Sequence, residues 1–338
     1  MTGRIYIIGV FVVPLVLLSC TAEKSMIALE ILKPASITYP ANVQTIGYFD
    51  RSPLTFNAYA NIDTRALNDT HLYKLDALIN SSILMGFIEG KSQSSLFYME
   101  DISYLQERRH DTLDQDVPLP NKRVDEICAI FGFDALITQD YYFADFNKSY
   151  YCNEDGWNEL MFELHLNVKW TVNIAGQTKP LDSYTYNDTL YFVNQDKFPK
   201  IKYLSNLEML LEGFKVVGQS FGIRNVPVWN KVSRIVFTGK NEDLRKAGKF
   251  TDKGDWESAL KIWEENLSSE NKKLAAKCAH NLAVYYELGD DINQALDYAK
   301  KANDLWPSPQ IEAYMKDLNI RRLNWITLEK QLQTFKSR

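Results

Sequence analysis

Few residues in this chain have types and spacings that could do chemistry. Gly218-Gln219-Ser220-Phe221-Gly222 has the G-x-S-x-G spacing. On a sharp strand-to-helix turn, that spacing exposes a serine hydroxyl as the nucleophile of acyl transfer. The chemistry needs the turn and a histidine base later in the chain. Leu207 to Val217, just before the motif, do not read as a strand, and His280 falls in a different, helical region. A helix-ending glycine accounts for Gly222 more simply, so hydrolysis at Ser220 is the remote alternative. The other histidines, His71, His110 and His165, form no His-x-x-x-His or His-Glu pair with metal spacing. Cys20, Cys128, Cys152 and Cys278 are too scattered for a zinc site or a disulfide framework, although Cys128 and Cys152 could pair in an oxidising compartment. No glycine-rich loop cradles a phosphate. No catalytic residue, metal or cofactor is expected.

Composition narrows the class. The chain has 338 residues and is 46% hydrophobic and 24% charged, which fits a folded protein of about two domains. A net charge of −5 argues against a nucleic-acid surface. Arg4 precedes an apolar run from Ile5 to Leu18 that contains Pro14 and is too short to span a membrane. The run ends Leu17-Leu18-Ser19-Cys20. This resembles the bacterial lipoprotein signal, and the resemblance implies cleavage of residues 1–19 and acylation of Cys20. Residues 20–25 are then a lipidated tether, anchored to a membrane rather than spanning it. Thr21, where a retaining Asp would stand, points to the outer membrane. A lone Glu23 followed by Lys24 favours the periplasmic side over the cell surface.

Residues 240–338 read as paired helices. Ala283, Tyr286, Gly289, Ala295, Ala302 and Pro307 resemble a tetratricopeptide repeat, with Gly289 one position early for the usual turn glycine. Ala247, Phe250, Gly254, Trp256, Ala259 and Trp263 resemble a second copy upstream. Leu318, Trp325, Leu328, Leu332 and Phe335 recur at helical spacing and read as a capping helix. The resemblance implies a protein-binding surface, for which Phe250, Trp256, Trp263, Tyr286 and Asn281 are the candidates. With 16 basic and 16 acidic residues from Asn241 onwards, the region shows no basic stripe for an acidic tail.

Residues 26–239 alternate strand and helix signals in the order β-β-α-β-α-β-β-β-α-β, an α+β domain with a mixed, partly antiparallel sheet. Strands are expected at Ile27–Ile31, Val43–Phe49, Leu96–Ile102, Ala135–Phe143, Leu181–Val193 and Val232–Phe237. The strongest signal is Leu160–Ile174. There, Leu160, Phe162, Leu164, Leu166, Val168, Trp170, Val172 and Ile174 alternate with polar residues, giving one buried face and one wet face. Helices are expected from Asp69, from Asn121 to a Gly132 cap, and from a Ser205/Glu208 capping box through Phe221. The element order is loosely similar to envelope lipoproteins such as the curli-secretion lipoprotein and the N-terminal domain of the Tol translocation protein. As a whole, the chain resembles an uncharacterised envelope lipoprotein family of gut-type, Bacteroides-like Gram-negative bacteria.

These readings combine into a lipid-anchored, non-enzymatic scaffold or assembly factor that holds a partner protein through its helical repeats. The alternative is a small-ligand or glycan receptor using Tyr141, Tyr142, Tyr150, Tyr151 and Trp157. Asp111-Thr112-Leu113 and Asp188-Thr189-Leu190 resemble O-glycan acceptor sites of such bacteria.

Overall fold

A computed structural model describes residues 24–52, 69–94, 103–106, 118–152, 156, 158–193 and 206–336. The element order is β1 (Lys24–Lys33), β2 (Ile46–Asp50), α1 (Asp69–Lys91), β3 (Ser103–Gln106), α2 (Asn121–Phe131), β4 (Ala135–Cys152), β5 (Asn158–Ile174), β6 (Asp182–Val193), α3 (Asn206–Ile223), β7 (Val228–Phe237), α4 (Glu242–Thr251), α5 (Trp256–Glu265), α6 (Lys272–Leu288), α7 (Ile292–Leu305) and α8 (Pro309–Lys336). A sheet-rich N-terminal region therefore precedes a helical C-terminal region. Leu96–Ile102 and Ser205 lie outside the described residues.

Five strands form one mixed sheet in the order β3-β2-β4-β5-β6. β2 runs parallel to both β3 and β4, whereas β4/β5 and β5/β6 are antiparallel. The alternation along β5 sets its register: Leu164, Leu166, Val168, Trp170 and Val172 are buried on one face. α1 and α3 cover that face with Leu75, Ile79, Ile83 and Phe87 from one helix and Leu210, Phe214, Val217 and Phe221 from the other. α2 covers the opposite face, where Val124, Ile127 and Cys128 pack on Phe49 and Leu136. Gly132 ends α2 at φ 73°, a left-handed cap. Pro120, not Asn121, holds the N-cap of α2, and the Asn121 amide instead donates to the Thr178 carbonyl at 2.8 Å.

α1 and α3 cross with their backbones nearly in contact. A methyl group at Gly86 would sit 1.9 Å from the Lys215 carbonyl oxygen, and one at Gly218 would sit 2.0 Å from that of Ile83. Gly90 and Gly222, four residues further along each helix, are equally tight. Gly222 lies within α3 and serves this crossing, which corrects its reading as a helix-ending cap. Phe221 then stacks on Trp170 with centroids 4.5 Å apart.

β1 and β7 pair in a separate two-stranded sheet. The sequence places β7 as the last strand of the sheet domain, with the seam at 239/240. The described residues instead divide into one compact unit drawn from 24–29 and 231–322 and another drawn from 30–230 and 323–336. The reason is visible in the packing: Val236 of β7 and Ile27 of β1 lie against the helical core. Within the second unit, Gln331 near the end of α8 donates to the Ala35 carbonyl and accepts from the Ala35 N–H, both at 3.0 Å.

In the helical unit, α4/α5 and α6/α7 form two hairpins in which equivalent residues stand 36 apart. Ala247 matches Ala283, Phe250 matches Tyr286, and Ala259 matches Ala295. Asp255 and Asp291 cap α5 and α7, accepting from the Ser258 and Gln294 N–H groups. Gly254 carries the left-handed turn residue of the first hairpin at φ 76°, and Asp290, not Gly289, carries that of the second at φ 59°. The core is built from Trp263, Leu282, Ala283, Val284, Leu296 and Leu318.

Candidate functional site

The sequence candidates of the helical unit separate into surface and interior. Trp256, at the first position of α5, and Tyr286, near the end of α6, line a groove of about 410 Å³ together with Tyr285, Leu288, Gly289 and Asp291. Phe250 is half-buried against the core. Trp263 is wholly buried, because position 263 faces the hairpin interior. Asn281 is also wholly buried: its amide accepts from the Phe237 N–H and donates to the Phe237 carbonyl, each at 2.8 Å. Neither Trp263 nor Asn281 can serve as binding surface, since Asn281 acts as a substitute strand edge for β7.

Tyr285 and Asp291 were missed by sequence reasoning. Tyr285 adjoins the candidate Tyr286, and Asp291 follows the turn, where it reads as a cap alone. In the groove, Tyr285 meets Tyr286 edge-on at 5.3 Å, and Tyr286 stacks on Tyr298 at 5.2 Å. The Tyr285 hydroxyl donates to Glu257 at 2.8 Å. That hydrogen bond, with partial burial and the negative charges of Glu257 and Glu264, raises the Tyr285 phenol above its ordinary range. Burial, then Tyr298, Glu264 and Asp291, raise Tyr286 likewise. The groove is an aromatic surface in a negative field.

Behind it lies a buried charge cluster. Arg234 of β7 binds Glu287 of α6 in a two-pronged contact at 2.9 and 3.0 Å, and the Tyr314 hydroxyl donates to the same carboxylate at 2.8 Å. Arg321 adds a further ion pair at 2.9 Å. Burial alone would raise the Glu287 carboxyl, but the Arg234 contacts, with Tyr314 and Arg321, outweigh it and hold it below the ordinary range. His280 sits between the Phe237 and Tyr314 rings. Burial pushes it down to about 4, partly offset by the Ile235 carbonyl that Nε2 meets at 3.0 Å.

The sheet unit holds a second polar cluster, at the carboxyl ends of its parallel strands. The Asp50 carboxylate accepts from the Ser52 N–H at 3.0 Å, Gln106 at 3.2 Å and the Tyr104 hydroxyl at 3.3 Å. The Gln139 amide donates to Asn80 at 2.6 Å, and the Tyr142 hydroxyl donates to Asp76. Arg51 pairs with Asp140 at 3.1 Å, while Thr171 donates to that carboxylate at 2.6 Å. Burial nevertheless raises the Asp140 carboxyl above its usual range, against the pull of Thr171 and Arg51. β2 leads towards α1 on one face and β3 towards α2 on the other, so the ends of β2 and β3 form the topological switch point where open α/β sheets open a crevice.

Ser220 lies in the last turn of α3, 3.5 Å from the Tyr184 hydroxyl, and its flanking glycines are accounted for by the α1/α3 crossing. Among the aromatic residues read as a glycan surface, Tyr142 is buried and Tyr150 is exposed, so those two do not share a surface. Trp157, Cys20 and Thr112 lie outside the described residues. His165 Nδ1 meets the Thr189 hydroxyl at 3.1 Å. Cys128 is buried and Cys152 exposed. Among the described residues, no helix is long and apolar enough to cross a membrane, and no group of His, Cys, Asp and Glu could hold a metal.

Two family models match the chain. Residues 96–237 match a domain of unknown function (DUF8603), and residues 245–320 match another (DUF6340). No curated protein matches. The two matches fit an uncharacterised family; the first ends with β7 at Phe237 and the second begins at Arg245, within α4.

Proposed function

We propose that this protein is a lipid-anchored envelope scaffold or assembly factor, non-enzymatic, that holds a partner protein on its tetratricopeptide-like helical hairpins. The observation that carries the reading is the aromatic groove of Trp256, Tyr285 and Tyr286, solvent-accessible beside a well-packed hairpin core. Two hairpins offset by 36 residues, with Ala247, Ala259, Ala283 and Ala295 where helices must approach, support the repeat assignment. The Leu17–Cys20 sequence supports acylation of Cys20 and attachment to the outer membrane, facing the periplasm. In-cell cross-linking with mass spectrometry is expected to recover one reproducible envelope partner, lost in the Trp256→Ala variant. An unchanged partner list would end the docking reading. Cys20→Ala should release the protein into the soluble fraction; retention in the membrane would end the anchor reading.

A second reading, a small polar ligand at the ends of β2 and β3, is favoured by the buried Asp50, Arg51 and Ser52 at a switch point. A sugar and amino-acid panel that raises the melting temperature of the wild type but not of Asp50→Asn would support it. No shift with any member of the panel would count against it.

A further inference from the structure

Building on the docking reading, we infer that the α5/α6 groove takes a cationic side chain, lysine or arginine, on a peptide segment of the partner. The lining offers three aromatic residues, Trp256, Tyr285 and Tyr286, and one carboxylate, Asp291, with no Lys, Arg or His among them. Aromatic faces attract a cation through the ring quadrupole, most strongly for Trp. Glu257, accepting from the Tyr285 hydroxyl, adds a second carboxylate at the rim and makes that ring more electron-rich. Glu264 and Asp291 keep the field around both tyrosines negative.

The chain's own habits sharpen the point. Elsewhere it fills such faces itself: Arg224 lies 4.0 Å over Tyr184, and Lys273 lies 4.6 Å over Trp306. Among the described residues, no cation of the chain covers Trp256, Tyr285 or Tyr286. A groove of about 410 Å³ admits a long basic side chain with part of its backbone. An acidic side chain would be repelled, and an apolar one would strip water from Asp291 without replacing it.

The test titrates full-length protein in non-ionic detergent with four fluorescein-labelled peptides of equal length. Each alternates glycine with lysine, arginine, glutamate or norleucine. The lysine and arginine peptides should bind, and more weakly as salt rises. Trp256→Ala should weaken them about tenfold and Asp291→Asn about threefold. Asn retains an acceptor for the Gln294 N–H, so the α7 cap and the fold survive the second change. Equal binding of the glutamate or norleucine peptide, or cationic binding indifferent to both substitutions, overturns the inference. If no cationic peptide binds while Trp256→Ala still abolishes the cellular cross-links, the ligand class is wrong and the docking reading stands. If the cross-links survive Trp256→Ala, the docking reading itself fails.

Discussion

In the sheet unit, α1 and α3 meet through bare backbone, with glycines at 86, 90, 218 and 222 and an aromatic stack beside them. In the helical unit, β7 is held to α6 and α8 by polar side chains: Asn281 on the Phe237 backbone, and Arg234 on Glu287 and Asp317. The first arrangement tolerates no added atom. The second depends on every buried polar group keeping its partner. The two regions should therefore fail in opposite ways.

The largest effect is expected from Glu287→Ala, which takes the buried carboxylate from Arg234, Arg321 and Tyr314 and leaves the two arginines only the more exposed Asp317 and Asp290; a loss of about 3–5 kcal/mol is expected by urea denaturation. Glu287→Gln should lose less, because an acceptor remains. Next comes Gly218→Ala, whose methyl group meets the Ile83 carbonyl; about 3 kcal/mol is expected. Hydrogen exchange should then rise in α1 and α3 and stay unchanged in α6 and α7. Equal deprotection of both units would erase the contrast.

Acid should act on the helical unit through His280. Its folded value, about 4, lies below the unfolded value of about 6.5, so the unfolded chain binds the proton more readily. Stability is complete above about pH 6.5 and falls as pH drops towards 4, by about 3 kcal/mol. Glu287, held low, adds a loss at still lower pH, as its carboxylate is protonated. His280→Gln should flatten the upper part of that slope in pH-dependent denaturation. Asn281→Ala should cost about 1–3 kcal/mol, since both Phe237 backbone groups lose their partner. The smallest change is expected from Asp290→Gly. It relieves a left-handed Asp but removes an exposed partner of Arg321, for a net effect within about 1 kcal/mol by thermal melting.

What could be read from the sequence was periodic and local. The β5 alternation, the Gly132 cap and the element order all follow from spacing within a few residues of one another. Function-bearing positions were harder, because one residue type answers several physical demands. Glycine at 218 and 222 suits a nucleophile elbow, a helix end or a helix crossing, and only the opposing helix decides among them. Asn281 has the polarity of a surface residue, and its true partner lies 44 positions back, on Phe237. The Asp50–Gln139 cluster joins residues 89 apart and leaves no mark in either local window. In the second hairpin Gly289 stands one position early, and Asp290 holds the left-handed position instead.

The Gln331 amide grips Ala35 and Thr38 across nearly 300 residues of chain. For a polypeptide made from its leading end, that contact sets a schedule. The segment at 35–38 is made first, and its backbone groups stay with water until α8 has been made. Folding of the sheet unit can then finish only once both ends of the contact exist, a delay set by the order of synthesis.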